Sequence, residues 1–403
     1  VVDLAGGAPR SPTGWDVATV LRRARRAAGR APGRLALALA AAAALLAASC
    51  SGPTPPLRIV YPYPWLGSGL GRVAQQAIAS WGPGPPVRIV DTLEPAAPLA
   101  SGYAGDIDFA EMMTAQAGTV AAVGPQSSRA TLLVAPIYAE HHIPMIVATA
   151  TSGRLRDLGS WIFQLAPDDD AEGGFIADFV VNRLAARRVT IFYLDADEYG
   201  VGLRDGVVRG LRRHGIEPRD EVGIIEETDL PRRVAESLGR ATPDVVVVAA
   251  RSPQALGIAQ AVYTRLPGVK IVAGDGVPLN GSFIRAAGPA TAAVYAVAWW
   301  QPGLGDSASR AFAGRFRAAT GRLPSPAEAM YYDAIMVAAR AAHEVGARPA
   351  AIRRWLASLG VSRPPYAGVT GPISFAPERA ANLLMTRVAG DTAVAAERPG
   401  AGP

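Results

Sequence analysis

Past residue 56 the chain alternates two hydrophobic patterns. Short apolar, β-branched runs occur at 58–63 (RIVYPY), 87–92 (VRIVDT), 119–124 (TVAAVG), 144–149 (PMIVAT), 188–194 (RVTIFYL), 244–250 (DVVVVAA) and 270–275 (KIVAGD). Each is followed by a stretch in which apolar residues recur at helical spacing. A run that is apolar throughout marks a strand covered on both faces, which is the environment of a parallel sheet between helix layers. The pattern therefore predicts an α/β fold of doubly wound parallel sheets, and a stretch of about 350 residues calls for two such lobes. No repeat of 20–50 residues interrupts it.

In such folds a ligand sits beyond the carboxyl ends of the strands. After TVAAVG a Gly-Pro turn leads to Ser127 and Ser128 at the start of a helix, where hydroxyls and unpaired first-turn N–H groups can cap the helix or hold a carboxylate or phosphate. Simple capping explains any one such serine equally well. Thr149 and Thr151 follow the next strand, Tyr199 lies in the acidic loop DADEYG after RVTIFYL, and Asp275 ends KIVAGD. Together these could hold a zwitterion, with hydroxyls and helix N–H groups on its carboxylate and Asp275 on its ammonium.

The first fifty residues follow another pattern. Arginines between Arg22 and Arg34 precede LALALAAAAALLAAS, an uncharged run from Leu35 to Ser49 that ends in small residues. This is the layout of an export signal, and fifteen apolar residues are short of the roughly 20 that a spanning helix needs. Ala47-Ala48-Ser49-Cys50 resembles the lipobox of bacterial lipoproteins, although Ala47 stands where leucine is commonest. Cys50 is the only cysteine, and its position favours lipid attachment over a buried structural thiol. Ser51 to Pro56 then reads as a stiff proline tether.

Charge sharpens this division. The chain carries +6 overall, but residues 1–49 hold seven arginines against Asp3 and Asp16, which leaves the remainder close to neutral. That removes the electrostatic case for a nucleic-acid partner. One cysteine excludes an internal disulfide and a Cys-rich metal site. Of the four histidines only His141 and His142 are close in sequence, and adjacent residues point apart, so no metal is expected.

Residues 57 to about 390 resemble the substrate-binding proteins of branched-chain amino acid ABC transporters, the leucine/isoleucine/valine-binding family. The resemblance rests on the order and spacing of AAVGPQSSRA, IPMIVATATS, FQLAPDDDAEGG, VTIFYLDADEYGVGLRDGVVRGLRRHG, RFRAATGRLPSPAEAMYYDAIMVAARAAHEVG and YAGVTGPISFAP. It implies the type I periplasmic-binding-protein fold, two lobes joined by a hinge. Lobe 1 would take 57–166 and 302–370, lobe 2 would take 167–301 and 371–390, and 391–403 would be a flexible tail. The resemblance also implies a non-enzymatic, exported, membrane-anchored monomer that binds an amino acid without a cofactor and delivers it to a permease.

Carried over residue by residue, Ser128 would hold the ligand carboxylate, Thr151 its carboxylate and ammonium, and Thr149 would contribute through its backbone. Tyr199 would close over the ligand, and Asp275 would pair with the ammonium. Arg251 falls where relatives often carry an aromatic residue; a guanidinium there would favour a ligand with an extra anionic or polar group, unless it turns to solvent. Trp65 or Leu66 would line the pocket from a shortened first loop.

Two other readings stay open at this level. The same fold could serve a sensor that signals without transport. A nucleotide-dependent oxidoreductase could use Gly200, Gly202 and Gly206 after a strand, with Asp220 and Glu221 further on. The third glycine is one place late for that fingerprint, and Asp195, Asp197 and Glu198 would repel a pyrophosphate. No GxSxG, HExxH or SxxK motif points to a hydrolase.

Overall fold

A computed structural model describes residues 57–61, 68–91, 102–302, 305–377, 382–390 and 392–396. The export signal, Cys50, the proline tether, Trp65 and Leu66 lie outside the described residues. The described residues form one compact unit.

The first half is built from β1 (Leu57–Tyr61), α1 (Ser68–Ala79), β2 (Val87–Asp91), α2 (Tyr103–Ala115), β3 (Thr119–Val123), α3 (Ser128–Glu140), β4 (Met145–Val147) and β5 (Ile162–Gln164). Its five strands are parallel in the order β2-β1-β3-β4-β5. Neighbouring residues of a strand serve opposite faces: Ile59 and Ala121 pack in one apolar cluster, Val60 and Ala122 in another. That is why these runs carry no polar alternation.

The second half contains α4 (Asp169–Asp178), β6 (Val189–Leu194), α5 (Glu198–Arg213), β7 (Asp220–Ile224), α6 (Leu230–Arg240), β8 (Val245–Ala249), α7 (Gln254–Arg265), β9 (Lys270–Ala273), α8 (Gly281–Ala287) and β10 (Val294–Ala298). These strands run parallel in the order β7-β6-β8-β9-β10, the same permutation as in the first sheet. The chain then returns to the first half with α9 (Ser307–Thr320), α10 (Pro326–Val345) and α11 (Pro349–Ser358), and β11 (Tyr366–Gly368) pairs with β12 (Gly371–Ile373). Helix α10 starts with a capping box between Ser325 and Glu328 behind Pro326, and it is buried along most of its length against the first sheet.

Finally β13 (Leu384–Ala389) adds antiparallel to β10, and β14 (Thr392–Ala395) to β13. The expected purely parallel second sheet thus gains two antiparallel strands. The chain past 390, expected as a tail, supplies one of them, because the run TAVA reads as a strand next to a paired edge.

Both sheets change strand direction of travel at their first strand, β1/β3 and β6/β8. This is the switch point at which the carboxyl ends open a crevice. The last crossing between the halves is anchored by Asp333 on α10, whose carboxylate accepts N–H bonds from Val369 and Thr370, both at 2.8 Å, and the Thr370 hydroxyl at 2.6 Å.

Candidate functional site

Four of the predicted residues meet at the carboxyl ends of β3 and β4. Ser127 is the N-cap of α3, its Oγ accepting the Ala130 N–H at 3.1 Å. Ser128 is buried, and its Oγ accepts the N–H groups of Thr151 at 3.3 Å and Ser152 at 3.2 Å, which ties the two strand ends together. The Thr149 hydroxyl donates to the Gln126 carbonyl at 3.4 Å. Below this cluster Tyr331 of α10, fully buried, donates its hydroxyl to the Gly124 carbonyl at 3.0 Å and fixes the start of the loop.

The other three residues meet at the ends of β6, β8 and β9. Tyr199, buried in the first turn of α5, accepts the Gly276 N–H at 3.0 Å. Asp275 is half-buried with its Oδ1 fully shielded and unbonded, and Tyr199 and Glu172 both bear on its carboxyl. Arg251 behaves differently from expectation. Its Nη2 holds both oxygens of Asp197 at 2.5 and 2.6 Å and its guanidinium lies 5.3 Å from the Tyr199 ring centre, so its charge is matched locally rather than offered to an anion.

Sequence reading missed two members of this group, Asp169 and Glu172 on α4. Glu172 is fully buried and its Oε1 accepts the Asp275 N–H at 2.8 Å, while its Oε2 has no partner. Burial, with the charge of Asp275 beside it, raises its pKa well above the usual carboxylate range. Burial also raises Asp275, against the hydrogen bonds from Glu172 and Tyr199 and the charge of Arg251. Two carboxyls in contact at low dielectric resist ionising together, which favours a proton held between them.

Burial pushes Asp169 up to about 7; the Thr151 hydroxyl alongside opposes this, and Asp275, Asp170 and Glu198 add to it. Neither Asp169 carboxylate oxygen reaches hydrogen-bond geometry with a donor. In the sequence, PDDDAEGG reads as ordinary acids at a helix start. The spacing of three between Asp169 and Glu172, which puts both on one helix face, was the usable signal.

The two groups face each other across one seam. The Asp169 N–H donates to the Thr151 carbonyl at 2.8 Å. The Ser152 hydroxyl reaches Glu198 at 3.1 Å, and Arg154 pairs with the same carboxylate at 3.1 Å. An open groove of about 350 Å³ lined by Trp81, Trp355, Arg363 and Tyr366 holds none of the predicted residues. Among the described residues no group of three or more His, Cys, Asp or Glu side chains is arranged to hold a metal ion. No described helix is long and apolar enough to cross a membrane.

The glycines of α5 have a packing role instead of a nucleotide-binding one. A Cβ at Gly202 would collide with the Asp169 carboxylate, at Gly206 with the Asp169 backbone, and at Gly173 of α4 with Gly206 and Val207. They let α4 and α5 touch backbone to backbone, and this removes the basis for the oxidoreductase reading.

A sequence profile described as periplasmic binding protein matches residues 105–388. The chain belongs to the periplasmic binding protein family. Proteins of this family are solute binders rather than enzymes. An amino acid binding protein from Pseudomonas aeruginosa is 24% identical over 184 residues, 45% of this chain and 49% of that protein, so the match spans about half of that relative's length.

Among solved structures, the isoleucine-bound substrate binding protein of a branched-chain amino acid transporter from Streptococcus pneumoniae superposes with a TM-score of 0.72. It shares 21% identity over 84% of this chain and 98% of that one. A leucine binding protein from Thermotoga maritima gives 0.72 at 19% identity, covering 84% and 97%. A solute binding protein from R. palustris in complex with benzoate gives 0.69 at 16% identity, covering 85% and 95%. These likenesses establish the two-lobed periplasmic-binding fold for this chain. Within that fold the neighbours hold different ligands, so the site itself must decide what this binding protein takes.

Proposed function

We propose that this periplasmic binding protein captures an amino acid or closely related small carboxylate in the seam between its two sheets and delivers it to an ABC permease. The observation that carries this reading is the juxtaposition of unlike groups across one seam. Hydroxyls and helix N–H groups at Ser127, Ser128 and Thr151 suit a carboxylate, and opposite them Asp275, with Tyr199 beside it, suits an ammonium. Thr149 holds the loop that presents the hydroxyls.

Lobe 1 comprises 57–166 with 302–370 and the hairpin partner β12, and lobe 2 comprises 167–301 with β13 and β14. Closure of the lobes buries the ligand and presents both to the permease, so binding and closure are one equilibrium. Cys50 carries the lipid that keeps the receptor at the membrane. The relatives' ligands, isoleucine and leucine among them, support the amino-acid class.

Isothermal titration of the full chain against a panel of amino acids and small carboxylates tests the reading. A compound with both amino and carboxylate groups should bind, and failure of every such compound overturns it. Incorporation of labelled lipid, abolished by Cys50→Ala, tests the anchor.

A further inference from the structure

The second half brings more negative charge to the seam than a single ammonium requires. Asp169 and Glu172 lie on one face of α4, and both are within the buried set. Glycine makes room for each carboxylate: a Cβ at Gly202 would overlap the Asp169 carboxylate, and one at Gly274 would stand 2.7 Å from Glu172 Oε1 and 2.5 Å from the Tyr199 hydroxyl. Substitution of either glycine would fill the space that the acids occupy.

Nearby cations are already engaged. Arg251 is held by Asp197, and Arg154 by Glu198. Four carboxylate oxygens are shielded from water and meet no donor in full hydrogen-bond geometry: both of Asp169, Oε2 of Glu172 and Oδ1 of Asp275. The neutral side-chain donors bearing on these groups are the Thr151 hydroxyl beside Asp169 and the Tyr199 hydroxyl and Glu172 carboxyl beside Asp275. The groups facing them are Thr151, Tyr199, Asp170, Glu198 and Arg251, of which Arg251 alone is cationic. Shielded acceptors of this kind are costly unless a donor arrives.

The acids are not arranged for a metal, which leaves an organic cation with several N–H donors. Resting on the amino-acid reading above, we infer that the ligand is a basic amino acid: its α-ammonium meets Asp275, and a second ammonium or guanidinium on its side chain meets Asp169 and Glu172. In the ligand-free seam protons stand in for that second group. A neutral aliphatic side chain leaves these acceptors unpaired, and an acidic one adds repulsion.

Titration calorimetry of the full chain with L-lysine, L-leucine and L-glutamate tests the inference. Lysine should bind at least about tenfold tighter than leucine, with glutamate weakest. Leucine binding as tightly as lysine overturns the inference and leaves the amino-acid reading standing; failure of every amino acid overturns both. In buffers of different ionisation enthalpy, lysine binding should release about one proton more than leucine binding, and equal release also overturns the inference. Glu172→Gln should weaken lysine binding by about tenfold more than it weakens leucine binding. An equal loss for both ligands, or none for lysine, overturns the assignment to Glu172.

Discussion

At the ends of β3 and β4 the seam meets hydroxyls and backbone N–H groups already knitted together, Ser128 accepting from Thr151 and Ser152. At the ends of β6, β8 and β9 it meets Asp275, Glu172 and Asp169, with several carboxylate oxygens unbonded. The two sheets share one strand order, so topology does not explain the contrast. Hydroxyls and amides are neutral at any physiological pH and are satisfied within the protein. Buried acids are satisfied only when a proton or cation arrives. One half therefore supplies a site that is stable when empty, and the other supplies a site whose condition depends on what occupies it.

The largest test of this contrast strikes the packing beneath the acids. Gly206→Leu forces a side chain into the Asp169 backbone, and overpacking of this kind should cost about 3 kcal/mol in urea unfolding. An equal stability to the parent chain would show that the close α4–α5 approach is not required.

Next come two substitutions that should separate in opposite directions. Asp275→Ala should weaken amino-acid binding by well over about tenfold while stability holds or rises, since a costly buried acid is removed. Ser128→Ala should instead lower stability by about 1–2 kcal/mol, because two buried N–H groups lose their acceptor. If both variants lose affinity and keep stability, the proposed difference between the halves fails.

A smaller effect is the pH dependence of the empty protein. Asp169 is raised from 3.8 to about 7, so the folded chain binds more protons than the unfolded one between those values. Its contribution is fully present below about pH 4 and is lost as pH rises through 7, at up to about 1.4 kcal/mol per pH unit. Asp333, raised by burial to about 6, acts in the same sense over a window that closes earlier. Denaturation midpoints should therefore fall progressively from about pH 4 to about pH 7 and level off above it, and Asp169→Asn should flatten that fall. Smallest of all, Arg154→Ala removes an exposed partner of Glu198 and should reduce affinity by only about twofold to threefold, a loss that high salt reproduces in the parent chain.

Much of this architecture was legible in the sequence, for reasons visible in particular segments. The seven apolar runs named at the outset all form strands, because double-sided burial leaves an unbroken apolar signature. Among the ten parallel strands, β5, β7 and β10 were not named. Ile162–Gln164 is only three residues long, Asp220–Ile224 carries acids at a sheet edge, and Val294–Ala298 is followed by two tryptophans that blur its end.

At the site, strand-end hydroxyls and Asp275 could be nominated because topology names the ends of strands as the places to look. For Asp169 and Glu172 the spacing of three marks a shared helix face but not that this face meets the seam, which depends on the close approach allowed by glycines at Gly202, Gly206 and Gly274, and close approach has no one-dimensional signature. For Arg251 it is the ion-pair partner that the sequence does not show. Its position at the seam follows from β8, but its partner Asp197 lies 54 residues away in the chain.

The bond from Tyr331 to the Gly124 carbonyl has a consequence for the order of events during capture. A loop pinned from the core loses little conformational freedom when a ligand arrives, so the entropy of docking there is mostly the ligand's own. Encounter should then begin on the first half, with a ligand held by its carboxylate end on a surface that needs no rearrangement. Discrimination follows only when the acids of the second half swing in, which separates a fast, permissive step from a slower, selective one.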